Sequence, residues 1–397
     1  MLAEAKQVLV VSDDTPSVTW IRDLFSGDPQ PWLLFHAADS KTALAALERS
    51  PGIGVLLYDT RLQHAASELT NLKSRFPDTV HLAFSADRGA AQLSLSWPLG
   101  LGDVLKDCSP EELPLLVQRV ANLYTLIESD SVQRIVRRLD RLPPLATTYS
   151  ELCALMARPG VGLAELITAL QTDPVMTLKV LQLVNSAFFG LGRRIESIEQ
   201  ATNFLGFELL KGLILTAHVG GAFADIAENF DAARFQRYSI HVARLAQHFA
   251  TPWHLDREAL TVGMLLDIGE LVFALQQPAE FASASKRVAF TGESMHAVEL
   301  EVFGVGHAEV GACLLANWGL PFSIVECVAY HHRPSTVLGG RLELLSSVHV
   351  ADGLAGIVLN REREKMLDIA FLERVGVLGH LPAWRAYAEA QAQTWNT

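Results

Sequence analysis

Three carboxylates stand where phosphoryl chemistry could use them. Asp13 and Asp14 follow the apolar run Val8–Val11, and Asp59 follows Val55–Tyr58. Ser85 closes another such run, Val80–Phe84, and Lys106 follows a weaker one, Asp103–Leu105. Acidic side chains gathered in one place repel, so they need a hard cation such as Mg²⁺, a nearby lysine, or both. A cation and a lysine also neutralise the oxygens of an incoming phosphoryl group, while a hydroxyl can hydrogen-bond the product. The plainer reading is that acids at such positions only cap helices and solvate loop ends.

The elements that would position these groups alternate. Apolar runs at Val8–Val11, Trp32–Phe35, Val55–Tyr58 and Val80–Phe84 have strand character. Between them, Val18, Ile21, Leu24 and Phe25, then Ala43, Leu44 and Leu47, then Leu69, Leu72 and Phe76 keep helical spacing. Strands apolar throughout, interleaved with amphipathic helices, predict an α/β doubly wound, five-stranded parallel sheet whose functional groups gather at the carboxyl ends of the strands. Residues 1–124 therefore resemble the receiver domain of two-component response regulators. The resemblance implies that Asp59 is the phosphoacceptor and that Asp13, Asp14 and Asp59 hold Mg²⁺. It assigns Ser85 and Lys106 to the switch and implies a sensor histidine kinase as partner. Two positions depart from the family pattern: Asp103 stands where an aromatic is usual, and Asp107 where a proline follows the lysine.

Helical spacing resumes at Leu113, Leu116, Val117, Val120 and Leu123 and continues through Val132, Ile135, Val136 and Leu139. It predicts a helical linker over 125–141 that could carry a change at Asp59 onward. Arg134, Arg137, Arg138 and Arg141 read as an exposed helix face, not as a nucleic-acid contact. A dimer seam is possible there, but the spacing is too irregular for a coiled coil.

Beyond Leu142 strand patterns disappear and the chain reads as all-α. The stretches LPPLATTYSELCAL, DPVMTLKVLQLVNSAFFG and IESIEQATNFLGFELLKGLIL, then GMLLDIGELV at Gly263–Val272, resemble the HDOD family, non-catalytic relatives of the HD phosphohydrolases used in bacterial signalling. The expected domain spans 142–354, with a C-terminal helical extension at 355–397. Asn185 and Ser186 lie inside an expected helix, where they most simply bond backbone or a neighbouring helix. Aligned to the HD pattern, His241, Asp267 and Asp352 match three of four primary metal ligands. His307, His331 and His332 match second-metal positions. The fourth primary ligand is replaced by Leu266, which has no lone pair to offer. Glu270 stands where the two-metal enzymes carry a lysine, and its charge would repel a phosphodiester.

The resemblance thus implies a degenerate site with no catalytic residue, weak metal binding or none, and an output through a downstream protein partner. Two rivals stay open: a metal-dependent phosphohydrolase or cyclic-dinucleotide phosphodiesterase, and a nucleotide sensor without turnover.

The totals are consistent with this. At 397 residues, 50% hydrophobic and 19% charged, the chain has material for two cores. A net charge of −12 argues against a partner bound by phosphate neutralisation. The four cysteines, Cys108, Cys153, Cys313 and Cys327, form no CxxC pair. Neither a signal-peptide core at the N-terminus nor an apolar run of membrane-spanning length is evident, so a cytoplasmic protein is expected, with no membrane partner and possibly a homodimer.

Overall fold

The computed structural model describes residues 6–26, 32–87, 92–96, 103–105, 112–136, 230–317, 320–339, 342–359 and 367–395, with isolated positions 165, 167, 200 and 202. Lys106, Asn185, Ser186, Arg137, Arg138, Arg141 and the helices expected between 142 and 229 lie outside them. The chain forms two compact units, the first chiefly residues up to Glu128 and the second beginning at Ser129.

The first unit is a six-stranded sheet in the order β2-β1-β3-β4-β5-β6. Strands β1 (Lys6–Val11), β2 (Trp32–Ala37), β3 (Ile53–Asp59) and β4 (Val80–Asp87) are mutually parallel. Helices α1 (Thr15–Ser26), α2 (Ser40–Arg49) and α3 (Ala65–Arg75) connect them, and α4 (Leu113–Ile127) follows the sheet. Leu9, Val11, Leu56 and Tyr58 form part of the buried core, and α1 turns Val18, Ile21 and Phe25 inward.

The expected all-parallel five-stranded sheet is corrected here. The parallel part has four strands. β5 (Gln92–Ser96) returns antiparallel to β4, and β6 (Asp103–Leu105) pairs antiparallel with β5. The reason is connection length: a parallel return needs a crossover of about a dozen residues or more. Only residues 88–91 separate β4 from β5. The expected fifth strand does form at Asp103–Leu105, but β5 takes the place beside β4. At about 4.8 Å per strand, Leu105 thus ends three strands from β3, not two.

The expected helix running on past residue 124 is interrupted. α4 ends at Ile127, and α5 (Asp130–Val136) starts a new helix belonging to the second unit. The polar run Glu128-Ser129-Asp130 explains the break, since such residues favour helix starts over helix interiors. The Ser129 carbonyl already accepts the Gln133 N–H.

The second unit is helical throughout its described residues. It comprises α5, α6 (Ala232–Ala250), α7 (Asp256–Leu265), α8 (Ile268–Gln276), α9 (Pro278–Thr291), α10 (Met295–Phe303), α11 (His307–Asn317), α12 (Phe322–Tyr330), α13 (Glu343–Leu359), α14 (Ile369–Arg374) and α15 (Leu381–Trp395), with short 3₁₀ turns. α6 packs on α7 and α13, and α8 on α11; α5 lies against α8 and α11. α8 is buried over Ile268–Ala274, a run apolar apart from Glu270. A Cβ at Gly269 would sit 2.1 Å from the His307 carbonyl oxygen, so only glycine lets α8 approach the start of α11 this closely.

Candidate functional site

In the first unit, register brings the acids together. Val11 pairs with Tyr58, so Ser12 at the end of β1 lies beside Asp59 at the end of β3. The Ser12 hydroxyl donates to Asp59 Oδ2 at 2.7 Å. Arg61 supplies the positive charge that buried Asp59 needs. Its Nε donates to Oδ1 at 2.9 Å and its Nη2 to Oδ2 at 2.6 Å, and the same Nη2 reaches Asp14 Oδ2 at 3.4 Å. Burial alone would raise the Asp59 pKa; the Arg61 and Ser12 hydrogen bonds outweigh it and hold the carboxyl below its ordinary value. Asp13 is exposed alongside. Ser85 follows Phe84, the residue paired with Asp59, on β4. Asp14 and Asp59 are hard oxygen donors of the kind Mg²⁺ takes, and a half-exposed Arg61 bridges them.

In the second unit, imidazoles and carboxylates gather at helix ends. Asp267 caps α8 immediately after Leu266, which closes α7 and is 1% exposed. Asp267 Oδ1 lies 3.4 Å from His307 Nε2 and 3.7 Å from His331 Nε2. The turn Gly304–Gly306 folds α10 back on α11, so that Glu299 meets His307. Glu299 Oε2 accepts from the His307 backbone N–H at 2.8 Å and from its Nδ1 at 2.6 Å. Burial opposes charge on His307, yet Glu299, then Asp267 and Glu270, outweigh it and push the imidazole up to about 10. Glu299, wholly buried, is itself pushed up. His332 Nε2 lies 2.9 Å from His307 Nε2, and Arg333 pairs with Glu309, whose carboxylate also accepts from the Gly306 N–H.

His331, His332 and Asp352 form a second grouping. Asp352 accepts from the Tyr238 hydroxyl at 2.8 Å. His331 Nδ1 donates to the Val328 carbonyl, which turns Nε2 toward Asp267. His349 has both nitrogens in use, donating to the His331 carbonyl and accepting from the Asp368 N–H, so it is a brace. His241, on α6, joins none of the close groupings of metal-ligating atoms among the described residues. Burial, with Arg244 and Arg237 nearby, pushes its pKa down to about 4.

Asp267, His307 and His331 therefore converge, and His332 and Asp352 meet at His331, while His241 joins none of these groupings. A primary HD metal centre does not fit this arrangement. One ligand position is a buried leucine, and Asp352 is engaged by a tyrosine. The sequence reading missed His296 and Glu299 on α10 and Arg61 after β3. His296 and Glu299 stand three residues apart, a spacing that puts both on one helix face, and this was the available signal.

Residues 142–334 match the family model described as the HDOD domain. This stretch is an HDOD domain. The match ends before Asp352 and α13. The crystal structure of the "Putative phosphohydrolase" of Shewanella amazonensis SB2B is 26% identical, with a TM-score of 0.53, covering 68% of this chain and 98% of that one. An HDOD domain protein of unknown function from Geobacter sulfurreducens shares the fold at 23% identity and a TM-score of 0.53, over 67% of this chain and 97% of that one. An uncharacterized protein of Treponema pallidum (strain Nichols) is 27% identical over 200 residues. That is 50% of this chain but only 39% of the relative's length. No helix among the described residues is long and apolar enough to cross a membrane.

Proposed function

We propose that this chain is a cytoplasmic signalling protein in which phosphorylation of Asp59 by a sensor histidine kinase controls an HDOD domain that acts by docking a protein partner, without turnover. Asp13, Asp14 and Asp59 would hold Mg²⁺ once Arg61 swings aside, and Ser85 would contact the phosphoryl group. Lys106, which the resemblance also assigns there, follows β6, three strands from β3. The net charge of −12 gives no reason to invoke nucleic acid. One observation carries the non-catalytic reading: Leu266, 1% exposed, fills the place of the central imidazole beside Asp267. An aliphatic side chain there leaves too few donors for the metal-activated water on which HD hydrolysis depends.

The hydrolase reading rests on the Shewanella relative's printed name. Glu270, buried among Asp267, Glu299 and His307, opposes it by adding negative charge where a phosphodiester would enter. Two measurements test the proposal. Treatment with an acyl phosphate and Mg²⁺ should add one acid-labile phosphoryl group to the wild type and none to Asp59→Asn. Cyclic-dinucleotide and monoester substrates should stay intact in Mn²⁺ or Fe²⁺. Hydrolysis that Asp267→Ala abolishes would replace this reading with the enzyme one.

A further inference from the structure

His296 has no part in the HD pattern, yet its ring nitrogens join those of His307 and His332 in a grouping made of imidazoles alone among the described residues. It sits in the first turn of α10, His307 opens α11, and His332 follows α12. Each offers a ring nitrogen lying within 4.8 Å of the other two. Ring centroids are 4.6 Å apart for His296 and His332, 4.8 Å for His307 and His332, and 5.7 Å for His296 and His307. A tetrahedral zinc ion with Zn–N bonds of about 2.0–2.1 Å sets its nitrogens roughly 3.3 Å apart. The 2.9 Å between His307 Nε2 and His332 Nε2 is close to that spacing.

Three further features point the same way. Glu299 engages His307 Nδ1, which turns Nε2 toward the other two rings, the carboxylate–histidine arrangement that orients metal-bound imidazoles. A Cβ at Gly306 would fall 2.3 Å from His296 Nδ1, so glycine there leaves space for that ring beside the start of α11. Finally, Asp267, Glu270 and Glu299 are all buried around His307. Carboxylates packed beside these rings favour a cation among them.

We propose that His296, His307 and His332 bind one divalent transition-metal ion of the zinc or cobalt class, at a three-imidazole site offset from the degenerate HD pair and braced by Glu299. The ion ties α10, α11 and the turn after α12 together and has a structural role.

The test uses the full chain, stripped with chelator and titrated with Zn²⁺ and Co²⁺. One ion per chain should bind. Glu299→Gln should weaken it about 10–100-fold, the range for an outer-shell partner, and His296→Ala by at least about 100-fold. His331→Ala, which removes a neighbouring imidazole that the proposed site does not use, should change affinity by less than about 5-fold. X-ray absorption at the zinc edge of the loaded wild type should count three imidazoles, a readout that does not require any variant to fold. Absence of stoichiometric metal, equal affinity in His296→Ala, a larger loss in His331→Ala than in His296→Ala, or a shell with fewer than three imidazoles would overturn the proposal.

Discussion

At the level of single residues, Arg61 and His241 each carry a consequence of their surroundings. At the proposed Mg²⁺ site Arg61 and the ion would compete for the same oxygens, since the guanidinium bridges Asp59 and Asp14. Arg61→Ala should therefore tighten Mg²⁺ binding, by about 3–10-fold if the competition is worth roughly 1 kcal/mol for a partly exposed pair. A titration of the metal followed by Trp fluorescence or NMR reads this, and weaker binding would mean that Arg61 supports the ion instead. His241 is held neutral, its pKa depressed from 6.5 to about 4 by burial and then by Arg244 and Arg237. A depressed pKa adds stability that is present above 6.5 and disappears as pH falls through 4, because the unfolded chain takes up a proton that the folded one refuses. The full shift corresponds to about 3 kcal/mol, reduced to roughly 2 by partial exposure. Urea unfolding between pH 7 and 4 should show a flatter acid limb for His241→Phe than for wild type. The place of Asp59 at the end of β3 was legible from sequence because the apolar run Val55–Tyr58 stops there. Arg61 was not, because no pattern tells a bridging arginine from a solvated one.

Among the elements, the close approach of α8 to α11 decides whether the histidine network exists. Asp267 starts α8 and His307 starts α11, so any widening of that contact separates Oδ1 from Nε2. Gly269→Ala places a methyl 2.1 Å from the His307 carbonyl oxygen, backbone that cannot swing away. A destabilisation of about 3 kcal/mol, at the upper end of the usual overpacking range, is expected in denaturant titrations. It should come with a loss of His307 imidazole protection in NMR. A cost under about 1 kcal/mol would show that α8 can slide. Helical spacing marked α1 to α4 well, because each buries one face. The antiparallel β5 escaped notice because Gln92–Ser96 has neither a clean alternation nor a turn signal before it, and only the short 88–91 connection betrays its direction. α10 was hard to read for a related reason. Its His296 and Glu299 both point inward and blur the apolar face that would have marked the helix.

On the scale of the whole chain, the question is how a carboxylate in the first unit reaches helices in the second. The covalent route is short: α4 ends at Ile127 and α5 begins at Asp130. α5 then packs against α8 and α11, which carry Asp267 and His307. Val132, Ile135 and Val136 are its buried residues, and Gln133 Nε2 lies 3.6 Å from Cys313 Sγ of α11. A phosphoryl group at Asp59 can bias the second unit only if some element there has two arrangements of similar free energy. α5 is the natural candidate because it is seven residues long and leans on tertiary packing for its stability. Hydrogen exchange on the full chain, with and without acyl phosphate and with Asp59→Asn as control, should show a change in 130–136 and in the facing turns of α8 and α11. A coupling of about 1 kcal/mol corresponds to roughly a 5-fold change in exchange rate. Exchange that changes only around β1, β3 and β4 would confine the switch to the first unit, and Asp59 would then have to act through a surface of that unit alone.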